Sequence, residues 1–142
     1  MRVVRQHESK EAADRLRQHG IRPLQMRVAI YDYLLKHNIH PTVETIYQEL
    51  IVTHPGMSKT TIYNVLDLLY EHKVINKVSI EEREMRYDAD VSEHAHFRCT
   101  TCNKIFDIRQ MSLPQPQVPV GFTVNDIQIN IDGTCPDCGK AS

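Results

Sequence analysis

Two Cys-x-x-Cys pairs, Cys99-x-x-Cys102 and Cys135-x-x-Cys138, constrain this chain more than any other feature. Two such knuckles supply four thiolates, the donor set of a tetrahedral structural zinc. Their neighbours suit tight turns: Asn103 follows the first pair and Gly139 the second. Roughly 30 residues separate the pairs, more than in a short zinc ribbon. The segment between is therefore expected to carry structure of its own, here a small sheet. Structural zinc contributes on the order of 10–16 kcal/mol, against whole-domain stabilities of roughly 5–15 kcal/mol. The second half is thus expected not to fold without its metal. The competing readings are two disulfides or four unrelated thiols. They weigh less because the start, Met1 to Glu8, has no apolar run of the kind a secretory signal needs. In a reducing compartment four cysteines more often ligate metal. The same observation predicts a cytoplasmic protein.

A length of 142 residues fits one compact domain or two small ones. With 41% hydrophobic and 25% charged residues, neither disorder nor a fibrous repeat is indicated. No run approaches the roughly 18 apolar residues of a membrane span, so no membrane partner is expected. The net charge of −1 excludes a general polyanion sponge. It does not exclude DNA binding, which depends on local positive charge. Arg is concentrated in residues 1–30, and acidic residues become denser after Asp67.

The first half reads as four helices, over 8–19, 24–37, 43–52 and 59–72, from apolar residues at helical spacing. Gly20 stops the first. Thr42, after His40-Pro41, is the expected N-cap of the third, with Thr45 where a capping box prefers Glu. Ser58, after the turn His54-Pro55-Gly56, is the expected cap of the fourth. After Lys73 the period changes to two. Val74, Asn76, Val78 and Ile80, a polar turn Glu81-Glu82-Arg83-Glu84, and Met85 to Asp88 form a hairpin. A helix–turn–helix followed by a hairpin is a winged helix. Residues 89–93 read as a linker, and strands are expected over 95–99, 104–109 and 122–131. Pro114, Pro116 and Pro119 oppose a long helix between the last two.

Two further patterns carry chemistry. His94 and His96 sit at alternate positions of a strand and so face one side. Beside a zinc knuckle they suggest a second metal site, with Asp88, Asp90, Glu93 and Asp107 as oxygen donors nearby. Such a set suits iron, manganese or zinc, and acid would expel the metal by protonating imidazole. The segment Met57-Ser58-Lys59-Thr60-Thr61-Ile62-Tyr63-Asn64 is the start of the second helix of the helix–turn–helix, which enters a major groove. Ser58, Lys59 and Thr61 suit phosphates; Asn64 suits adenine and Tyr63 a thymine methyl. An ordinary amphipathic helix with a solvated face is the alternative.

His40-Pro41-Thr42, Thr61-Ile62-Tyr63-Asn64, Arg86-Tyr87-Asp88, and His94-x-His96-x-x-Cys99-x-x-Cys102 with Cys135-x-x-Cys138 together resemble the ferric uptake regulator superfamily of bacterial metal-dependent repressors. The resemblance covers nearly the whole chain. It implies an α+β homodimer: a winged-helix DNA-binding domain at 1–88, a hinge at 89–93, and a small α/β dimerisation and metal-binding domain at 94–142. It implies structural zinc on Cys99, Cys102, Cys135 and Cys138. It implies a regulatory metal, Fe2+ or Mn2+ with Zn2+ as an alternative, on His40, Asp88, His94, His96 and Asp107. A metal ligated from both domains would fix the angle between them. The implied partner is a double-stranded DNA operator, held by Arg22, Ser58, Lys59, Thr61, Tyr63 and Asn64.

Within the superfamily the chain most resembles the peroxide-sensing branch. Asp107 stands where iron-uptake members typically have Glu, and Asn64 where they typically have Arg. In that branch hydrogen peroxide reacts with ferrous iron and a ligand histidine gains oxygen; the matching residues are His40 and His94. Iron-uptake or zinc-uptake regulation is the alternative. An enzyme is not expected, because five candidate ligands leave little room for a substrate-activating position and no Gly-x-Ser-x-Gly motif is present. The chain departs from the family at Arg22-Pro23-Leu24-Gln25, where a Thr-Pro pair usually opens the second helix, and in its shortened, Pro-rich 113–119 segment. Ala95 and Ile127 stand where ligands of a third metal site would lie, so no third site is expected.

Overall fold

In a computed structural model, residues 2–37, 39–81, 84–92, 94–109 and 116–140 are described, residues 2–9, 80 and 81 by their backbone alone. The chain divides into two compact units, Met1–Val91 and Ser92–Ser142.

The first unit begins with α1 (Arg2–Gln18), which starts earlier than the apolar spacing indicates. Its end follows from Gly20. At φ +74° this residue takes the left-handed conformation that a side chain resists. Ile21 N–H then reaches Leu16 C=O at 2.9 Å, and Gly20 N–H reaches Arg17 C=O at 3.0 Å. That double bond pattern is a Schellman cap, completed by burial of Leu16 and Ile21. Next come α2 (Gln25–Lys36), α3 (Val43–Leu50) and α4 (Lys59–Glu71). Thr42 and Ser58 cap α3 and α4 as expected, their hydroxyls accepting from Thr45 N–H at 3.2 Å and Thr61 N–H at 3.0 Å. α2 starts behind Leu24, whose side chain offers no acceptor. α4 ends in a second Schellman cap, Val74 N–H to Leu69 C=O, with Lys73 at φ +59° in the position glycine usually takes.

Leu16, Ile30, Ile46, Ile62, Leu66 and Leu69 are fully buried in one cluster contributed by all four helices. Each such side chain contributes roughly 1.5–3 kcal/mol, so the helix–turn–helix is held by its core and not by propensity alone. The wing is the antiparallel pair β1 (Asn76–Glu81) and β2 (Glu84–Asp88), in register Asn76 opposite Asp88 and Val78 opposite Arg86. Glu82 and Arg83 of the expected turn lie outside the described residues.

The second unit is a three-stranded sheet in the order β4 (Ile105–Ile108), β3 (Ala95–Cys99), β5 (Asn130–Gly133). β3 pairs antiparallel with β4 and parallel with β5. The sequence places a strand over 122–131, but only its end forms β5. Its parallel ladder starts at Asn130 opposite His96, and β3 begins only at Ala95, so among the described residues no ladder reaches 116–128. Gly133 lies hard against Phe97: a Cβ there would stand 2.7 Å from the ring's Cζ. A four-residue helix, α5 (Pro136–Gly139), follows β5. It is too short to leave a periodic signal in the sequence. Pro114 lies outside the described residues; Pro116 and Pro119 are in irregular chain.

Candidate metal centres and nucleic-acid face

The knuckles converge as their spacing requires. One Sγ from each of Cys99, Cys102, Cys135 and Cys138 lies within 4.8 Å of the others. Cys102 Sγ and Cys135 Sγ are 3.9 Å apart. Four thiolates around zinc at ~2.3 Å stand about 3.8 Å from one another, whereas a disulfide bond is ~2.0 Å. The sulfur positions therefore suit structural zinc. The turns supply the rest: Asn103 at φ +61° donates its N–H to Cys99 C=O at 2.8 Å, and Cys135 N–H points at Cys99 Sγ at 3.4 Å. Backbone N–H groups of Cys102, Cys135 and Thr101 pull the Cys99 thiol down to about 5. Contacts with the other three sulfurs, Cys135 first, push Cys138 up to about 12. Four converging sulfurs without a cation resist shared ionisation, and a divalent ion removes that resistance.

The second unit also gathers His94, His96 and Asp107. His94 precedes β3 and His96 lies within it, directly opposite Asp107 of β4. Their Nε2 atoms are 3.0 Å apart, the separation of two cis donors on a metal at ~2.1 Å. Asp107 Oδ1 lies 3.4 Å from His94 Nε2 and 3.6 Å from His96 Nε2. His94 Nδ1 stands 2.7 Å from Ser92 C=O, which can only accept. The Nδ1 proton is thereby fixed and the Nε2 lone pair is left for a ligand. Imidazole and carboxylate donors so arranged suit Fe2+ or Mn2+.

In the first unit, His40 and Asp88 meet although 48 positions separate them in the chain. β2 pairs on one edge with β1 and on the other with the loop before α3. Tyr87 N–H donates to Pro41 C=O at 3.1 Å, Arg86 Nη1 donates to His40 C=O at 3.3 Å, and Thr42 bridges to Arg86. His40, buried at φ +52°, then places Nε2 3.2 Å from Asp88 Oδ2. Asp88 Oδ1 accepts Asp90 N–H at 2.9 Å, so Asp90, itself a sequence candidate, enters through its main chain. Beneath this strand the Tyr87 hydroxyl is pushed up to about 12 by burial. Glu93 lies outside the described residues.

On the helix–turn–helix, Lys59, Tyr63 and Asn64 are exposed on one side of α4 while Ile62, Val65 and Leu66 are buried on the other. Tyr63 is 51% exposed, unusual for an aromatic with no partner required by the core. Arg22 is exposed before α2. The Ser58 hydroxyl caps α4 by accepting from Thr61 N–H and lies 2.9 Å from the Thr61 hydroxyl at the exposed start of the helix. Lys59 forms an ion pair with Glu44 of α3 and lies 5.4 Å from the centre of the Tyr47 ring. The pairing lowers the Glu44 carboxyl and raises the Lys59 ammonium, mainly through their hydrogen bond.

Three residues that sequence reasoning passed over matter here. Ser92 orients His94. Arg109 donates to Asp107 Oδ2 at 2.8 Å, a contact signalled only by its spacing of two residues. Glu44 neutralises Lys59, with no sequence signal at all.

The sequence pattern of the Ferric uptake regulator family matches residues 18–132. The Peroxide operon regulator of Bacillus subtilis is 33% identical over 138 residues, covering 94% of this chain and 95% of its own. A solved structure of the peroxide sensor PerR from Streptococcus pyogenes matches with a TM-score of 0.52 at 27% identity, covering 92% of each chain. The ferric uptake regulator of Helicobacter pylori matches with a TM-score of 0.67, 16% identity, and 92% and 93% coverage, a likeness of fold.

Proposed function

This chain belongs to the ferric uptake regulator family, and from that premise we propose that it is a homodimeric, metal-dependent transcriptional repressor that senses hydrogen peroxide. The observation that carries the reading is the pair of imidazole Nε2 atoms 3.0 Å apart beside the Asp107 carboxylate, with His94 locked by Ser92 to present its lone pair. It is supported by the likeness to the Bacillus subtilis regulator.

In this reading His40 and Asp88 from the winged helix join His94, His96 and Asp107 as ligands of one ion, and residues 89–93 are the hinge. Ligation from both sides fixes the angle between the two recognition helices of the dimer. Shifting such an equilibrium from mostly off to mostly on takes about 5.5 kcal/mol of differential binding. Ferrous iron, when bound there, supplies the one-electron chemistry by which peroxide is reduced and a ligand histidine, His40 or His94, gains oxygen. An oxidised imidazole is a weaker donor, so the bridge opens and DNA is released.

The DNA face is α4 entering the major groove, with Tyr63 and Asn64 at base edges and Arg22, Ser58, Lys59 and Thr61 at phosphates. The second copy is expected against the dimerisation half. Val118, Val120, Phe122 and Val124 there stay exposed within seven residues, a density of apolar surface that a partner ordinarily covers. Among the described residues no helix is long and apolar enough to cross a membrane.

The test reconstitutes zinc-loaded protein anaerobically with Fe2+ or Mn2+ and adds low hydrogen peroxide. Binding is followed to duplexes selected from a random pool, and tryptic peptides are weighed. The reading expects only the iron form to release DNA, with oxygen gained on the peptide holding His40 or His94. Retention of DNA by both forms with unmodified histidines refutes peroxide sensing. It would leave a regulator of metal level, of iron or zinc, to be titrated as such.

A further inference from the structure

We propose that Arg109 is a positioning residue for the His94–His96–Asp107 metal site, holding the Asp107 carboxylate so that one oxygen is presented to the ion. The inference rests on reading those three residues as metal ligands.

A carboxylate rotates broadly about its last torsion. Unless something holds it, the oxygen that should face two imidazoles is spread over many positions. Arg109 Nη2 takes Asp107 Oδ2 at 2.8 Å, and Oδ1 is then the oxygen turned toward His94 and His96. Arg109 is itself anchored, its Nη1 donating to Ser92 Oγ at 3.2 Å. The same Ser92 holds His94 through its carbonyl. One serine therefore registers two ligands, His94 through its main chain and Asp107 through its hydroxyl and the Arg109 guanidinium. The arginine side chain is 42% exposed and the Asp107 side chain 8%, so the guanidinium lies on the solvent side of the carboxylate.

This role has a sign that separates it from simple electrostatics. A cation beside a cation site repels the metal, so a counter-charge role predicts tighter binding when Arg109 is removed. Positioning predicts weaker binding. Loss of an outer-sphere partner typically costs 10–100-fold in metal affinity.

The experiment uses full-length, zinc-loaded protein and Co2+ as the probe, with absorption spectra and affinity read together. Arg109→Ala is expected to raise the Co2+ dissociation constant 10–100-fold and to change the d–d bands. Zinc content and thermal midpoint are expected to stay at the wild-type level. Arg109→Lys, which keeps one donor, should recover part of the affinity and the wild-type spectrum. Ser92→Ala keeps the carbonyl and removes the anchor; it should give a smaller loss in the same direction, and it decides the matter if Arg109→Ala loses its zinc. Wild-type affinity and spectrum in both Arg109→Ala and Ser92→Ala, or tighter binding in either, overturn the inference alone. If wild-type protein takes up no Co2+ beyond its zinc, or His96→Ala takes it up equally well, the metal-site reading itself falls.

Discussion

Lys59 is the cation best placed to meet a phosphate at the start of α4, yet it is held by Glu44 in the free protein. Replacing Glu44 with Gln keeps the shape and removes the charge. Each phosphate neutralised on duplex DNA contributes about −0.9 to the slope of log affinity against log salt. Lys59 paired with Glu44 delivers only part of this, because the carboxylate stays beside the phosphate. Between 50 and 200 mM salt, a fourfold change, one full contact corresponds to about a 3.5-fold loss of affinity. Glu44→Gln should therefore bind DNA more tightly at low salt, with a slope steeper by up to ~0.9 per protomer. Lys59→Ala should be shallower by the part that wild type already delivers, so that the two changes together add up to about 0.9 per protomer. Double replacement should keep the shallow slope of Lys59→Ala, since no cation is left there to meet a phosphate. It should bind somewhat more tightly than Lys59→Ala because the bare carboxylate is gone. Fluorescence anisotropy across a salt series reads all four proteins. If Lys59→Ala keeps the wild-type slope, Lys59 does not meet a phosphate. If Glu44→Gln keeps it while Lys59→Ala does not, the ion pair does not restrain DNA binding.

The same pair makes a pH prediction. Lys59 holds the Glu44 carboxyl below its usual range, so NMR should find Glu44 titrating below an ordinary Glu, and Lys59→Ala should return it. The sign follows: the pair's contribution to stability is present above the unfolded carboxyl pKa and is lost as pH falls through the lower folded value. Cys135→Ser, or removal of zinc by a chelator, should erase amide-exchange protection in β3, β4 and β5 while the core of α1 to α4 keeps its protection. Equal protection in apo and zinc-loaded protein would sink the structural role. Lys73→Gly relieves a side chain at φ +59° and should stabilise the winged helix by about 1 kcal/mol. A urea midpoint that rises with unchanged slope would show it; a midpoint that falls would place the lysine side chain in a contact worth more than the strain.

Sequence alone determined what depends on neighbours in the chain. Thr42 and Ser58 cap helices because their hydroxyls reach an N–H three residues on. Gly20 ends α1 because its dihedral freedom is intrinsic. The Cys pairs form knuckles because two intervening residues already bring two sulfurs to one side. His94 and His96 are only two residues apart, and His94, just ahead of β3, is turned toward His96 by the carbonyl of nearby Ser92. Tertiary structure decided what depends on chains meeting from afar. His40 reaches Asp88 only because β2 has a second edge to pair with the loop before α3. The alternating stretch 122–131 forms so little strand because its ladder runs along β3, which begins at Ala95, and His96 already stands opposite Asn130. Glu44 finds Lys59 because α3 and α4 pack together. Arg109 reaches Ser92 because β3 and β4 are paired. A residue's conformational preferences and periodicity are written locally, whereas a hydrogen bond between distant residues exists only after the core has brought their backbones together.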